Sequence, residues 1–331
     1  MKKIKIIAEL GSVHDGSFGN CLHLIKLARE CGADMVKLQH HISEEETLKN
    51  APNPKYFKSE NRYDYFKRTS FSTAEWKKII SFTKKNKISF MCSVFSLASF
   101  IFLIKLGVKN IKIPSGELSN IPLLNEISKV RSVNIFLSTG MSNLKEIGKA
   151  VKILSKNNLC ILQCTSMYPC PAEYSGINIV KEFKKKYNSK YSIGFSDHTI
   201  GNVASILAYT QGATIFEKHL TFSKKMYGSD AKYASEPQEF KKYCESLKDA
   251  EVMFNSYVNK NKIEPFRNMR KVFQKSIYYN NDFLKGHKIQ LDDLCFKKPD
   301  IGISASDYKL FIGKKLIKPV FKNKPLQKIH F

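Results

Sequence analysis

Two lysines in this sequence sit where lysine needs a special reason. Lys37 lies inside Met35-Val36-Lys37-Leu38, and Lys112 inside Asn110-Ile111-Lys112-Ile113. A lysine in an apolar run must be paired or must face a polar cavity. Reactive groups follow each run: Gln39, His40 and His41 after the first, and Ser115, Gly116 and Glu117 after the second. The pattern recurs along the chain. One run ends in Glu9 with His14 close behind, and another leads to Ser93. Others lead to Ser138-Thr139-Gly140, to Thr165, Ser166 and Tyr168, to Ser196-Asp197-His198, and to Glu217-Lys218-His219. Lys37, Lys112, Ser115, Ser138 and Ser196 supply the cations and hydroxyl donors that a phosphate or carboxylate needs. Gly116 and Gly140 let backbone approach an anion closely. His198 and His219 could share a divalent metal, with water and substrate completing its shell. Each histidine alone is more simply a hydrogen-bonded loop residue; only the set argues for a site.

The elements that must position these groups are short and regular. Eight β-branched apolar runs occur at residues 4–8, 35–38, 88–92, 110–113, 134–137, 160–164, 191–195 and 214–217. Amphipathic stretches at 20–31, 73–85, 97–106, 143–156 and 203–209 alternate with them. Strands buried on both faces read as continuous apolar runs, which fits a parallel sheet. Eight such βα units predict an α/β fold, a TIM (β/α)8 barrel, with the reactive residues at the strand C-termini around its mouth. The gap between the second and third runs holds Pro52, Pro54, Tyr56, Tyr63 and Tyr65 and reads as a long loop over that mouth. A last helix is expected at 237–257, then a polar linker at 258–264. From about Arg267 the period changes. Residues 276–279 read as a strand, 284–287 as a turn and 291–294 as a short helical turn. The expected domains are a catalytic barrel over 1–262 and, over 263–331, a linker with a small β-rich domain.

Composition excludes several classes. The chain has 331 residues, 43% hydrophobic and 25% charged, which are globular values. The net charge is +26, but only Arg29, Arg62, Arg68, Arg131, Arg267 and Arg270 are arginines. Base readers favour the arginine fork, so no nucleic-acid partner is expected; the basic surface suits anionic small substrates. Eight cysteines form no CxxC pair and no zinc spacing, as in a reduced cytoplasmic protein. Met1-Lys2-Lys3 imitates a signal sequence, but Glu9 ends the apolar run. Residues 88–104 carry no charge but hold four serines between flanking lysines. A buried strand followed by an amphipathic helix explains them better than a membrane span.

The motifs resemble one family in particular. Ile6-Ile7-Ala8-Glu9-Leu10-Gly11 with His14-Asp15-Gly16 is similar to the opening of sialic acid synthases. So are Val36-Lys37-Leu38-Gln39, Lys112-Ile113-Pro114-Ser115-Gly116-Glu117, Leu137-Ser138-Thr139-Gly140-Met141, and Cys164-Thr165 with Tyr168-Pro169. Gly194-Phe195-Ser196-Asp197-His198-Thr199 and Glu217-Lys218-His219 complete the series. The C-terminal segment resembles the family's antifreeze-like (SAF) domain. The resemblance implies condensation of phosphoenolpyruvate with an N-acylated hexosamine to give a nonulosonic acid and phosphate. It implies Mn2+ or Mg2+ on His198 and His219, and phosphoenolpyruvate on Lys37, Ser93, Lys112, Ser115, Ser138 and Ser196. Glu9 would be an acid/base or would stabilise the developing cation. Gln39, Glu117, Tyr168 and Asp230 would contact the sugar. The family also implies a domain-swapped homodimer.

Some positions depart from the family pattern, and they bear on the sugar. Val13, Val94, Gln163, Ser166 and Ala231 replace residues more usual there, and Lys298 stands where an arginine would meet the N-acyl group. Lysine cannot make the same fork. N-acetylmannosamine is the first expected acceptor. The alternatives are a 2,4-diacetamido-trideoxyhexose, giving a legionaminic or pseudaminic acid, and N-acetylmannosamine 6-phosphate. A synthase using an unacylated aldose phosphate and a sugar-binding protein without activity are the readings outside this reaction. If the metal assignment holds, both imidazoles lie within about 5 Å of a common point, as ligation at ~2.1 Å requires.

Overall fold

Eight parallel strands close into a barrel in chain order. They are β1 (Lys5–Gly11), β2 (Met35–His40), β3 (Ser89–Val94), β4 (Asn110–Ile113), β5 (Asn134–Ser138), β6 (Asn158–Cys164), β7 (Ser192–Asp197) and β8 (Ile215–His219). The ring closes where β8 lies beside β1, from Lys5 against Ile215 to Glu9 against His219. This is the TIM barrel expected from the spacing. The computed structural model describes residues 3–53, 57, 60–187 and 189–331. It divides into one unit ending at Ser256 and a second, Tyr257–Phe331.

Side chains alternate across each strand, and this alternation builds the barrel interior in layers. The lower layer is apolar: Ile7, Met35, Met91, Phe136, Cys160 and Leu162, with Ile215 against them. Two residues further along the same strands stand Glu9, Lys37, Ser93, Ser138, Cys164 and Glu217. The outward-facing residues, among them Ile6, Ala8, Val36, Leu38, Ile111 and Phe216, pack with the helices in one large core.

Local signals set the helix starts. Ser72 and Glu75 form a reciprocal capping box before helix Thr73–Lys85, as do Asn143 and Glu146 before Leu144–Ile153. Each satisfies backbone donors that a helix start leaves free. The gap between β2 and β3 differs from the expected loop. It carries a short helix, Ser43–Glu46, and a second one, Arg62–Thr69, whose start is capped by Asn61. Tyr63, Tyr65 and Thr69 are the buried face of that second helix. Of the residues expected there, Pro54 and Tyr56 lie outside the described residues. The uncharged stretch 88–104 is β3 followed by helix Leu97–Lys105. Among the described residues no helix is long and apolar enough to cross a membrane.

The second unit pairs β9 (Ser276–Tyr279) antiparallel with β10 (Leu294–Lys297). Isolated bridges extend this pairing, including Phe283 with Val320 and Lys288 with Lys315. Its own small core holds Ile277, Tyr279, Ile289, Leu294, Phe311, Leu316, Val320 and Leu326. The eight cysteines are free thiols, all buried except the partly exposed Cys295.

Candidate active site

The polar layer opens into a cavity of about 550 Å³ at the C-terminal mouth of the barrel. Glu9, Lys37, Gln39, Ser93, Lys112, Ser115, Ser138, Tyr168, Ser196, His198, His219 and Asp230 all line it. Two expected residues do not. Glu117 is half-buried beside the mouth and accepts a hydrogen bond from Asn120 Nδ2 at 2.8 Å. Burial pushes its carboxyl up, Asn120 opposes this, and Glu46 adds to it. Lys298 belongs to the second unit, where its ammonium lies 5.2 Å from the Phe273 ring centre.

The lysines in the apolar runs are explained by two carboxylates. Lys112 Nζ lies 2.6 and 2.8 Å from the Glu217 oxygens. Lys37 Nζ lies 2.8 Å from Glu9 Oε2 and 3.7 Å from Glu217 Oε1. Burial works against the charge on Lys37, but Glu217 and Glu9 outweigh it and hold its pKa up. Burial wins at Lys112, whose pKa falls despite Glu217. Burial would raise Glu217, yet the two ammoniums carry it well below the usual carboxylate range. Glu217 is therefore the electrostatic centre of the floor. Sequence reasoning left it without a role. The available signal was alternation, since Glu217 and His219 share a face while Lys218 turns outward to Asp197 at 3.0 Å.

The site serines differ in what they can still donate, and Ser196 Oγ already donates to Glu217 Oε1 at 3.0 Å. Ser93 Oγ accepts from Lys37 Nζ at 3.1 Å, and Ser115 Oγ accepts from the Gly140 N–H at 3.0 Å. The Ser93 hydroxyl proton thus remains to serve a ligand, while Ser115 is also in hydrogen-bond reach of the Cys164 thiol. A Cβ on Gly140 would collide with Ser166 Oγ and Ser115 Oγ, so glycine is what keeps this corner open.

His198 and His219 face each other with ring centres 5.6 Å apart. The two ring planes are tilted by 53°. The His198 Nδ1 proton is donated to the Thr165 carbonyl at 2.8 Å, which leaves Nε2 as its ligating atom. His219 Nδ1 is buried with no hydrogen-bond partner. Burial holds the His219 pKa down and favours the neutral ring that a metal needs. At His198 burial opposes the charge, but the neighbouring Cys164 thiol outweighs it and raises the pKa, so a metal there competes with a proton. Among the described residues no group of three or more His, Cys, Asp or Glu could hold a metal. What the site offers a metal is two imidazoles, one with a buried unpartnered nitrogen, the remaining positions falling to water and substrate.

The mouth has a wall that the sequence did not reveal. The His41 ring is sandwiched between Phe66 and Phe95, at 3.6 and 4.1 Å. Phe57 and Tyr65 continue the surface at 4.9 Å, and all of them line the cavity. His40 turns away, stacks on Phe102 and meets Ser99 Oγ at 2.9 Å.

Fold and site together define a TIM barrel whose mouth gathers two lysine–carboxylate pairs, several serines and two imidazoles. The profile described as the NeuB family matches residues 24–259, and the chain belongs to that family, the sialic acid synthases. It is 35% identical to the N,N'-diacetyllegionaminic acid synthase of Campylobacter jejuni, over 95% of this chain and 96% of that one. It is 32% identical to the enzyme of the same name from Legionella pneumophila, over 94% and 90%. A crystal structure of N-acetylneuraminic acid synthetase from Leptospira borgpetersenii, in complex with citrate, superposes with a TM-score of 0.70. It is 27% identical and covers 81% of this chain and 91% of that one.

Proposed function

We propose that this chain condenses phosphoenolpyruvate with the open-chain aldehyde of a 2,4-diacetamido-trideoxyhexose, giving a legionaminic-type nonulosonic acid and phosphate. The reaction is carried by one observation: Lys37, Lys112, Glu9, Glu217 and four serines share a buried barrel mouth with two facing imidazoles. C3 of phosphoenolpyruvate forms the new bond to the aldehyde carbon. Water then adds to C2, and phosphate leaves by cleavage of its C–O bond. Lys37, Lys112 and the hydroxyls of Ser93, Ser115, Ser138 and Ser196 bind the phosphate and carboxylate. Glu9, anchored by Lys37 at 2.8 Å and by Gln39 Nε2 at 2.7 Å, takes the proton from the attacking water. A divalent cation, Mn2+ or Mg2+, held by His198 and His219 would supply Lewis-acid polarisation of the aldehyde. Gln39, Tyr168 and Asp230 orient the sugar.

Two things support the deoxygenated sugar over N-acetylmannosamine, the first expectation. The aromatic wall of Phe57, Tyr65, Phe66 and Phe95 suits a methyl group better than a hydroxyl. The relatives named for legionaminic acid align over almost the whole chain. The same proposal takes the second unit as an SAF-type domain and the protein as a homodimer. In support, Phe266, Met269, Val272 and Phe273 leave much apolar surface exposed.

The test is phosphate release from phosphoenolpyruvate with Mn2+ and a panel of sugars, with mass spectrometry of the products. The panel holds N-acetylmannosamine, its 6-phosphate and 2,4-diacetamido-trideoxyhexoses. Release with the diacetamido sugar is expected. Release with none, from folded and metal-loaded protein, overturns the reading.

A further inference from the structure

Behind the catalytic floor runs a chain of hydrogen bonds that leads away from the reacting groups. Glu9 Oε1 accepts from Gln39 Nε2 at 2.7 Å. Gln39 Oε1 meets His41 Nε2 at 2.9 Å. His41 Nδ1 meets Glu46 Oε1 at 2.7 Å. The side chains of His41 and Glu46 are each 5% exposed, and Glu46 Oε2 is buried with no hydrogen-bond partner. Glu46 therefore depends on His41.

The chemistry of the chain fixes its polarity. A carboxylate only accepts, so Glu9 needs the amide NH2 of Gln39 turned towards it. The Gln39 carbonyl then faces His41 and needs a donor there. Glu46 likewise needs a donor. The His41 ring must supply an N–H on its Gln39 side, and Glu46 rewards a second one on the other. Stacking between Phe66 and Phe95 leaves the ring no freedom to tilt out of line.

We propose that His41 and Glu46 are positioning residues that lock the Gln39 amide, so that this wall of the mouth offers substrate an N–H and never a carbonyl. With its oxygen engaged by His41 and one N–H by Glu9, Gln39 has one N–H left. That group recognises a lone pair, from a sugar hydroxyl oxygen or an acyl carbonyl. A substrate amide N–H or ammonium at the same spot meets a repulsive donor. The inference rests on the proposed reaction for its kinetic consequence, but not for its geometry.

Two readouts test it on the full chain. The first needs no activity. In 15N-labelled wild type, His41 is expected to show a ring N–H at Nε2 that is protected from exchange. Absence of the Nε2 proton overturns the proposal. The second readout is kinetic. His41→Phe keeps the ring stack and removes both donors, leaving a buried amide oxygen unpaired. The expected loss in kcat/KM for the sugar is roughly 10- to 100-fold, the scale of a lost buried hydrogen bond, with KM for phosphoenolpyruvate unchanged. Because His41 acts through Gln39, His41→Phe in a Gln39→Met background should cost nothing further. Full activity of His41→Phe, or losses that multiply in the double variant, overturns the proposal. If His41→Phe does not fold, Glu46→Gln and Glu46→Leu take its place. Glu46→Gln can still accept from Nδ1 and should stay within a few-fold of wild type, whereas Glu46→Leu should not. A wild type inactive with every sugar, but with the protected Nε2 proton in place, would overturn the proposed reaction and leave the locked amide standing.

Discussion

Replacing Lys112 by methionine takes one partner out of a buried pair and leaves the other in place. Lys112 Nζ sits 2.6 Å from Glu217 Oε2, and both side chains are nearly inaccessible. At an effective dielectric near 20, unit charges about 3 Å apart attract by about 6 kcal/mol. Burying the ammonium cancels part of that, and truncating one partner of a buried pair costs roughly 3–5 kcal/mol. Lys37, at 3.7 Å from Glu217 Oε1, softens the loss and favours the lower end. At roughly 2–4 °C per kcal/mol for a domain of this scale, Lys112→Met should melt roughly 6–15 °C below wild type. Glu217→Gln should fall in the same range, since it leaves two ammoniums sharing one carboxylate. The double variant removes both charges together. Its loss should be smaller than the sum of the single losses by about 3 kcal/mol, a coupling energy of the size seen for residues in one ion-pair network. None of the three should release phosphate from phosphoenolpyruvate. The assay is thermal unfolding beside phosphate release. Melting losses that add within about 0.5 kcal/mol would show that the two groups do not sense each other, and the account of the floor would be wrong.

Gly140→Ala places a methyl against Ser115 and Ser166; KM for phosphoenolpyruvate should rise at least 10-fold while far-UV circular dichroism stays unchanged. His14 and His40 are held down to about 4, chiefly by burial. Between pH 6.5 and 4 the unfolded chain therefore binds more protons than the folded one, and stability falls as pH falls through that window. Each contributes up to about 3 kcal/mol, so denaturant midpoints should drop over this range, with a shallower slope in His40→Asn. Burial pushes the thiols of Cys21 and Cys244 up to about 12; a thiol reagent at pH 8 should label Cys295 in native protein well before either, as mass spectrometry would report. His219→Leu should weaken Mn2+ binding at least 10-fold by electron paramagnetic resonance, while the melting temperature holds or rises because a buried unpaired nitrogen is gone.

The strand positions were legible because each is an apolar run, but the strands do not stop where those runs stop. β1 continues from Ala8 through Glu9 to Gly11, and β8 from Glu217 to His219. Glu9, Lys37, Gln39, Ser93, Lys112, Ser138, Ser196, Glu217 and His219 thus stand on strands, whereas Ser115, Tyr168, His198 and Asp230 lie beyond strand ends; for the strand residues the spacing of two from the apolar layer was already in the sequence. Lys37 and Lys112 announced themselves by their setting. Glu217 did not, because its significance lies in which lysines the closed barrel brings to it, from strands 105 residues apart in the case of Lys112. The helix Arg62–Thr69 was hidden by composition: Tyr63, Tyr65 and Thr69 form its buried face between arginines and a lysine, so no aliphatic period marks it. With it went the Phe66 half of the His41 stack. In the proposed reaction acceptor preference rests on this wall of the mouth, and the wall is assembled from segments that carry no motif.

The floor of the mouth has a charge balance that constrains how any anion is held. Lys37 and Lys112 face Glu9 and Glu217, so the four buried charges cancel. A ligand with a phosphate monoester and a carboxylate adds at least two negative charges to a site with no surplus. The basic exterior, at +26, draws such a ligand to the mouth but is screened within about 8 Å. At the floor the ligand meets neutral donors, the hydroxyls of Ser93 and Ser115 and the backbone around Gly140. It also meets ammoniums that it must share with resident carboxylates. This sharing makes Glu217 more than a counter-ion: it favours the charged form of both lysines and aims them when the site is empty, and its repulsion would limit how tightly the proposed ligand binds. In the proposed reaction the phosphate product is released from a floor that is already neutral without it, and binding energy is saved for the transition state rather than spent on the ground state.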